Sequence, residues 1–230
     1  MGQVRGWLIF PAICLFVAAC SSSNHGTTTT STAPPVAEAA LDGLLLSPAE
    51  IDAAVGATGM TVRAAYDKMA DSSALVSDTN CVVMYGGGEP SVYAGSGASA
   101  TRAQFLKDAA EGSQTQHAVF QTVVSFSSAD RAATFFTASS NRWSACSNLP
   151  YTITELGIWD VGPVSNTNGT LSATETREGG QGWTCQRALT VSNNVAIDIT
   201  ACTYNQANGA VNIARQIAAK VANHMVGPGF

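Results

Sequence analysis

The sequence predicts an α+β domain stapled by two disulfides, and three observations carry that expectation. Two strand-like runs, Trp183 to Val191 and Val195 to Cys202, flank a short Asn-rich turn. The chain closes on Ala207–Met225, whose apolar residues recur at helical spacing. Four cysteines, Cys81, Cys146, Cys185 and Cys202, are spread through the same part of the chain.

Upstream of that region lies an export signal. Arg5 is the sole charged residue before Cys20, and an apolar run of about 10 to 13 residues follows it, with two alanines before the cysteine. The run is shorter than the ~20 residues a membrane-spanning helix needs. Val17-Ala18-Ala19-Cys20 resembles the lipobox of bacterial lipoproteins. That resemblance implies removal of a signal peptide, residues 1–19, and diacylation of Cys20, which would hold the mature chain at the extracytoplasmic face of the cell membrane. Residues 21–35, SSSNHGTTTTSTAPP, offer no apolar side chains to bury, so a disordered Ser/Thr/Pro tether is expected over residues 20–43. At ~25 residues such a coil spans on the order of 25–30 Å. The folded domain is then expected over 44–230. The formal net charge of −5 becomes −6 once Arg5 is lost. An acidic chain lacks the basic footprint that nucleic acid requires, so no nucleic-acid partner is expected. Nor would it cling to anionic lipid, which leaves membrane attachment to the acyl chains.

Ser47-Pro48-Ala49-Glu50 supplies an N-cap, a first-turn proline and a capping-box glutamate, opening a helix to about Val55. Strands are expected at Met60–Ala64, Cys81–Tyr85 and Ser91–Ala94, and a short helix over Thr101–Ala110. His117–Phe126 alternates, with Ala118, Phe120, Thr122, Val124 and Phe126 on one face. Ser127 is placed as the cap of a helix that runs to about Ser144, with Asp130 in its first turn. Its apolar residues Ala129, Ala132, Ala133, Phe136 and Trp143 roughly share a face. Residues 147–168 hold Pro150, Gly157, Gly162 and Pro163 and read mostly as loop, with one strand near Ile153–Trp159. Thr170–Thr176 begins a meander that enters the hairpin. The terminal helix carries an apolar stripe of Ala210, Val211, Ala214, Ile217, Ala218, Val221 and Met225. The hairpin face of Val195, Ile197, Ile199 and Ala201 is expected to receive it.

The four cysteines beyond Cys20 read as two disulfides in an oxidising compartment, with three possible connectivities. The hairpin selects among them. With Asn193-Asn194 as a two-residue loop, Ser192 opposes Val195, Leu189 opposes Asp198, Arg187 opposes Thr200 and Cys185 opposes Cys202. Counting outward from the turn, the cysteines fall on a non-hydrogen-bonded pair, whose Cα atoms lie about 4.5 Å apart, within reach of a disulfide. Cys185–Cys202 is therefore expected, leaving Cys81–Cys146. Closing loops of these lengths is worth roughly 3–4.5 kcal/mol each on the chain-entropy account.

The order of Cys81, VYAGSG (92–97), AVFQTVVSFSSADRAATFF (118–136), RWSAC (142–146), GWTCQRAL (182–189) and VAIDITAC (195–202) resembles the extracellular sensor domain of the mycobacterial PknH-type receptor kinases and their free-standing lipoprotein relatives. The likeness covers about residues 44–228. It implies a twisted antiparallel sheet flanked by helices, a first–second and third–fourth disulfide pattern, and a cleft for an unknown ligand. The sequence itself carries no kinase domain and no transmembrane helix.

Nothing in the sequence points to catalysis. His25, His117 and His224 are scattered, and neither a nucleophile elbow, a zinc-protease motif nor a phosphate loop with its lysine is found. Neither a metal site nor a cofactor is expected. Two non-enzymatic functions remain: binding of a small envelope-derived ligand, or docking of an envelope protein without a ligand pocket. An aromatic cleft would favour the first, a flat apolar patch the second. The candidate ligand face lies on the hairpin opposite Ile197 and Ile199. It combines Trp183, Arg187, Asp198 and Tyr204, with Arg187 and Asp198 close enough diagonally for an ion pair; the same residues also suit a plain amphipathic sheet face. The loop at 147–168 is the alternative site.

Overall fold

Each partner assigned from the Asn-Asn turn is found in the structure, from Ser192 opposite Val195 to Cys185 opposite Cys202. Asn193 takes the positive φ of 49° that the turn demands. The coordinates are a computed structural model that describes Gly2 and residues 33–109, 113–204 and 208–226. The signal peptide, Cys20, His25 and most of the expected tether lie outside the described residues.

In chain order the strands are β1 (Thr61–Tyr66), β2 (Ala98–Lys107), β3 (His117–Phe126), β4 (Pro150–Ile153), β5 (Gly157–Val161), β6 (Ser165–Thr167), β7 (Thr170–Arg177), β8 (Trp183–Ser192) and β9 (Val195–Tyr204). The helices are α1 (Leu41–Leu44), α2 (Pro48–Val55), α3 (Val82–Tyr85), α4 (Pro90–Tyr93), α5 (Ala129–Ala145) and α6 (Gly209–Val226). All pairings are antiparallel and the sheet is open, in the order β1-β2-β3-β9-β8-β7-β5-β4, with β6 added on β7. No helix among the described residues is long and apolar enough to cross a membrane.

The sheet is buried on both sides, which is why its central strands carry few exposed residues. One face presents Val119, Val123, Ala188, Val195, Ile197, Ile199 and Ala201 to α1, α2 and α6. The stripe expected on the terminal helix, from Ala210 to Val221, packs there; the Met225 side chain is outside the described residues. The capping box of Ser47 and Glu50 forms as expected, and Lys220 of α6 reaches both Glu50 and the Leu45 carbonyl, joining α6 to the start of α2. The other face presents Val124, Phe126, Leu171, Ala173, Leu189 and Ala196 to α3, α4 and α5. The Cys81–Cys146 disulfide links the start of α3 to the end of α5, and Cys185–Cys202 links β8 to β9.

Five expectations need correction. Cys81–Tyr85 and Ser91–Ala94 are not strands. Val82, Val83 and Met84 are all buried against α5 and its disulfide, so the run shows no face, and a single helical turn fits the crowded site. In the second segment Pro90 opens a helical turn whose first bonds return to the Glu89 carbonyl. Within the helix expected over Thr101–Ala110, residues 101–107 instead form most of β2, because β3 pairs with it along its length and β1 covers its other edge, and Ala110 lies outside the described residues. Helical propensity loses to that long-range pairing. The segment at 147–168 holds three strands rather than one, with Glu155 at a φ of 68° turning β4 into β5. The cap of α5 is Ser128, one residue after the expected Ser127.

Residues 36–43, expected in the tether, pack with the folded domain. Val36 and Leu41 are buried, and Val36 is clasped by the Asn194 side chain. Asn194 accepts from Val36 N at 2.7 Å and donates to Val36 O at 3.1 Å and to Phe126 O at 2.8 Å. The turn residue thus also joins the N-terminal segment to β3. Asn194→Ala should lower stability by about 2–3 kcal/mol, because it orphans three buried backbone groups. Urea denaturation measures it, and a loss under about 0.5 kcal/mol would show that the clasp carries little.

Candidate ligand cleft

On the face of the sheet that carries α3 and α5, the helices do not reach the lower ends of β2, β3, β8 and β9. A cleft of about 460 Å³ remains there. Its walls are Tyr66, Phe105 and Phe120 on one side, Tyr85 and Gly86-Gly87 above, and Tyr151, Leu156 and Trp159 from the β4–β5 hairpin. Trp183 and the Cys185–Cys202 disulfide complete it. Size and aromatic lining are those of a small-molecule site.

Beneath the cleft lies a buried polar cluster. Arg187 of β8 is 1% exposed and Asp198 of β9 is 3% exposed, and their side chains meet at 2.7 Å. The guanidinium also donates to the carbonyls of Ile199, Val83 and Gly86 and to the Thr200 hydroxyl. It lies 5.4 Å from the centre of the Trp143 ring, a cation–π contact from α5. The second oxygen of Asp198 accepts from Gly88 N and from the Tyr93 hydroxyl, each at 3.1 Å. Burial, reinforced by the Asp198 carboxylate, holds Tyr93 protonated far above the ordinary tyrosine range. Gly86-Gly87-Gly88 is the segment that closes this cluster. A Cβ on Gly87 would sit 2.7 Å from the Asp198 carbonyl oxygen, and Gly88 adopts a positive φ of 77° against Thr122. Only glycine lets the backbone come this close.

Two further carboxyls line the cleft. Glu89 accepts from Ser72 N, and burial raises its pKa. Glu175 of β7 is 2% exposed, and its Oε1 finds no hydrogen-bond partner among the described residues. Burial pushes Glu175 up to about 8, against the opposing pull of Arg187 and the nearby Tyr151 hydroxyl. The Tyr151 hydroxyl lies beside Glu175, and burial together with that carboxyl pushes it well above the ordinary tyrosine range. Trp159 Nε1 is buried without a hydrogen-bond partner among the described residues. The cleft thus borders polar atoms whose hydrogen-bonding capacity the protein uses only in part.

Of the four residues proposed for the ligand face, Trp183 lines the cleft. Arg187 and Asp198 lie sealed beneath it, and Tyr204 stands behind Trp183, edge-on at 5.0 Å, with its hydroxyl accepting from Gln114. The alternative region, 147–168, supplies Tyr151, Ile153, Leu156 and Trp159. Sequence reading missed Tyr66, Phe105, Phe120, Glu175 and Glu89. A strand reading of 98–107 would have paired Phe105 with Phe120 and exposed the aromatic wall. His117 joins Asp108 at 2.7 Å, and Asp108 also accepts from the backbone at Gln116 and His117, an arrangement that closes the β2–β3 loop. His224 is exposed on α6. No group of side chains able to hold a metal occurs among the described residues.

The hollow is thus set in an open antiparallel sheet with helices on both faces and two disulfides, Cys81–Cys146 and Cys185–Cys202. The chain belongs to the PknH-like extracellular domain family, whose pattern matches residues 36–220. It is 36% identical over 191 residues to the serine/threonine-protein kinase PknH of Mycobacterium bovis and, equally, to that of Mycobacterium tuberculosis. These matches cover 81% of this chain but 32% and 30% of the kinases, so the chain spans about a third of their length. The crystal structure of the extracellular domain of PknH from Mycobacterium tuberculosis superposes with a TM-score of 0.79 at 34% identity, covering 83% of this chain and 99% of that one.

Two outcomes follow from the buried cluster. Asp198→Ala should cost about 3–5 kcal/mol, since it leaves Arg187 charged and unpaired in the interior; chemical denaturation reads it, and a cost below about 1 kcal/mol would contradict the account. Glu175 binds its proton more tightly folded than unfolded, so its contribution to stability is complete below about pH 4.5 and declines as pH rises towards about 8. Glu175→Gln should remove that decline from the pH profile of the melting temperature. A profile identical to that of the unsubstituted protein would show that Glu175 is not the group responsible.

Proposed function

We propose that this chain is a cell-envelope lipoprotein, anchored through Cys20, whose extracytoplasmic domain binds a small envelope-derived ligand in the aromatic cleft. The observation that carries the reading is the cleft itself: about 460 Å³, walled by Tyr66, Phe105, Phe120, Trp159 and Trp183 and bordered by buried polar atoms whose hydrogen-bonding capacity is used only in part. A pure docking module has no use for such a hollow. Each orphaned buried polar atom costs roughly 1–3 kcal/mol, and a ligand that satisfies it recovers part of that cost. The kinship with an extracellular kinase domain supports a sensing role, and no catalytic role is proposed.

Trp183 forms a wall, while Arg187 and Asp198 hold the floor in place. Trp183→Ala should therefore abolish the thermal shift induced by an envelope extract while lowering the unliganded melting temperature little. A retained shift would remove the cleft from consideration. For the anchor, intact-mass analysis of the native chain is expected to find a mature N-terminus at an acylated Cys20, and Cys20→Ser should no longer partition into detergent. Any other mature N-terminus contradicts the anchor.

A further inference from the structure

We infer that the cleft takes an organic cation, an amine or quaternary ammonium group borne on an apolar body. This rests on the reading of the cleft as a ligand site and assigns its charge preference.

The charged residues that line the cleft are both acids, Glu89 and Glu175; among the described residues it has no lysine, arginine or histidine in its lining. The nearby cation is closed off. Both terminal nitrogens of Arg187 are committed to Asp198, Thr200 and three backbone carbonyls, and its charge is already matched by Asp198. Arg187 therefore has no free terminal nitrogen to bind a phosphate or carboxylate directly, and an anion in the cleft would have two acids as its charged or ionisable neighbours. Neither acid forms an ion pair among the described residues, and Arg187 reaches them only through its field. Glu89 is held by the amide and side chain of Ser72 alone, and Glu175 has only the Tyr151 hydroxyl beside it. A glutamine of the same shape at either place would avoid burying an ionisable group, so an acid there is useful where an incoming positive charge compensates it.

The walls agree with the floor. Ring faces carry the negative lobe of the aromatic quadrupole, and Tyr66, Tyr85, Phe105, Phe120, Trp159 and Trp183 all border the one hollow. A cation enclosed by such rings is attracted without a strong requirement for direction, and ammonium groups are the usual guests. Ala70, Ile153, Leu156 and the Cys185–Cys202 disulfide add apolar lining, which suits a body attached to that charge. Burial keeps Glu175 protonated when the cleft is empty; a bound ammonium group would let it ionise, the proton passing to solvent.

Three probes with one body and three charges test this: 4-phenylbutylamine, 4-phenylbutan-1-ol and 4-phenylbutanoate, each titrated calorimetrically at pH 8 into the full chain in a non-ionic detergent, against detergent blanks. The amine should bind more than about tenfold tighter than the alcohol, and the carboxylate not measurably. The double variant Glu89→Gln/Glu175→Gln should lose that preference while still binding the alcohol. If the double variant fails to fold, the comparison on the unsubstituted chain decides alone. Equal or tighter binding of the alcohol or the carboxylate overturns the inference and leaves the cleft a ligand site. Failure of all three to bind also overturns it, while the extract-induced thermal shift and its loss in Trp183→Ala decide the underlying reading independently.

Discussion

Arg187 and Asp198 face one another across adjacent central strands, almost without contact with water, and the surrounding structure is arranged to keep them so. An ion pair in such a place is expensive unless nearly every polar atom around it is satisfied. Here the strands supply Ile199 and Thr200, α3 and its following turn supply the carbonyls of Val83 and Gly86, Gly88 supplies an amide and Tyr93 of α4 a hydroxyl. Two stretches about a hundred residues apart, 83–93 and 187–200, must therefore converge on one point. Arg187 Nε is the one atom of the pair left unpartnered.

That convergence shapes the cleft. Bonds from the pair fix the Gly86–Gly88 segment against β9, and this segment forms the upper wall of the hollow. The Cys81–Cys146 disulfide ties the same segment's helix to α5, whose Trp143 lies over the guanidinium. Cys185–Cys202 fixes the ends of β8 and β9 where Trp183 stands. Both staples thus secure the margins of one site, and the opposite face of the sheet is left to ordinary apolar packing against α6.

The parts of this arrangement that could be read from the sequence are those governed by short-range rules. The Asn193-Asn194 turn set the register, the register set one disulfide, and elimination set the other. It also placed Arg187 beside Asp198. What it could not convey was depth: a hairpin viewed alone offers that pair to solvent, whereas α3, α4 and the three glycines cover it. Those covering segments are single helical turns, too short to show a period, and Val82, Val83 and Met84 are buried in succession. Phe105 and Phe120 were separated by the reading of 101–110 as helix, although period-two alternation is visible there once β3 is recognised as a partner. Asn194 was read as a turn former, and its clasp on Val36 has no local sequence signal because the partner lies 158 residues away.

The central claim is that the hollow above the buried ion pair is where this domain meets its ligand. Amide hydrogen exchange of the chain, with and without an envelope extract, tests it most directly because it reports position. The account expects slowed exchange confined to the segments around Tyr66, Tyr85–Glu89, Tyr151–Trp159 and Trp183–Cys185. Protection confined instead to α6, or to the exposed surface of α5, would contradict it.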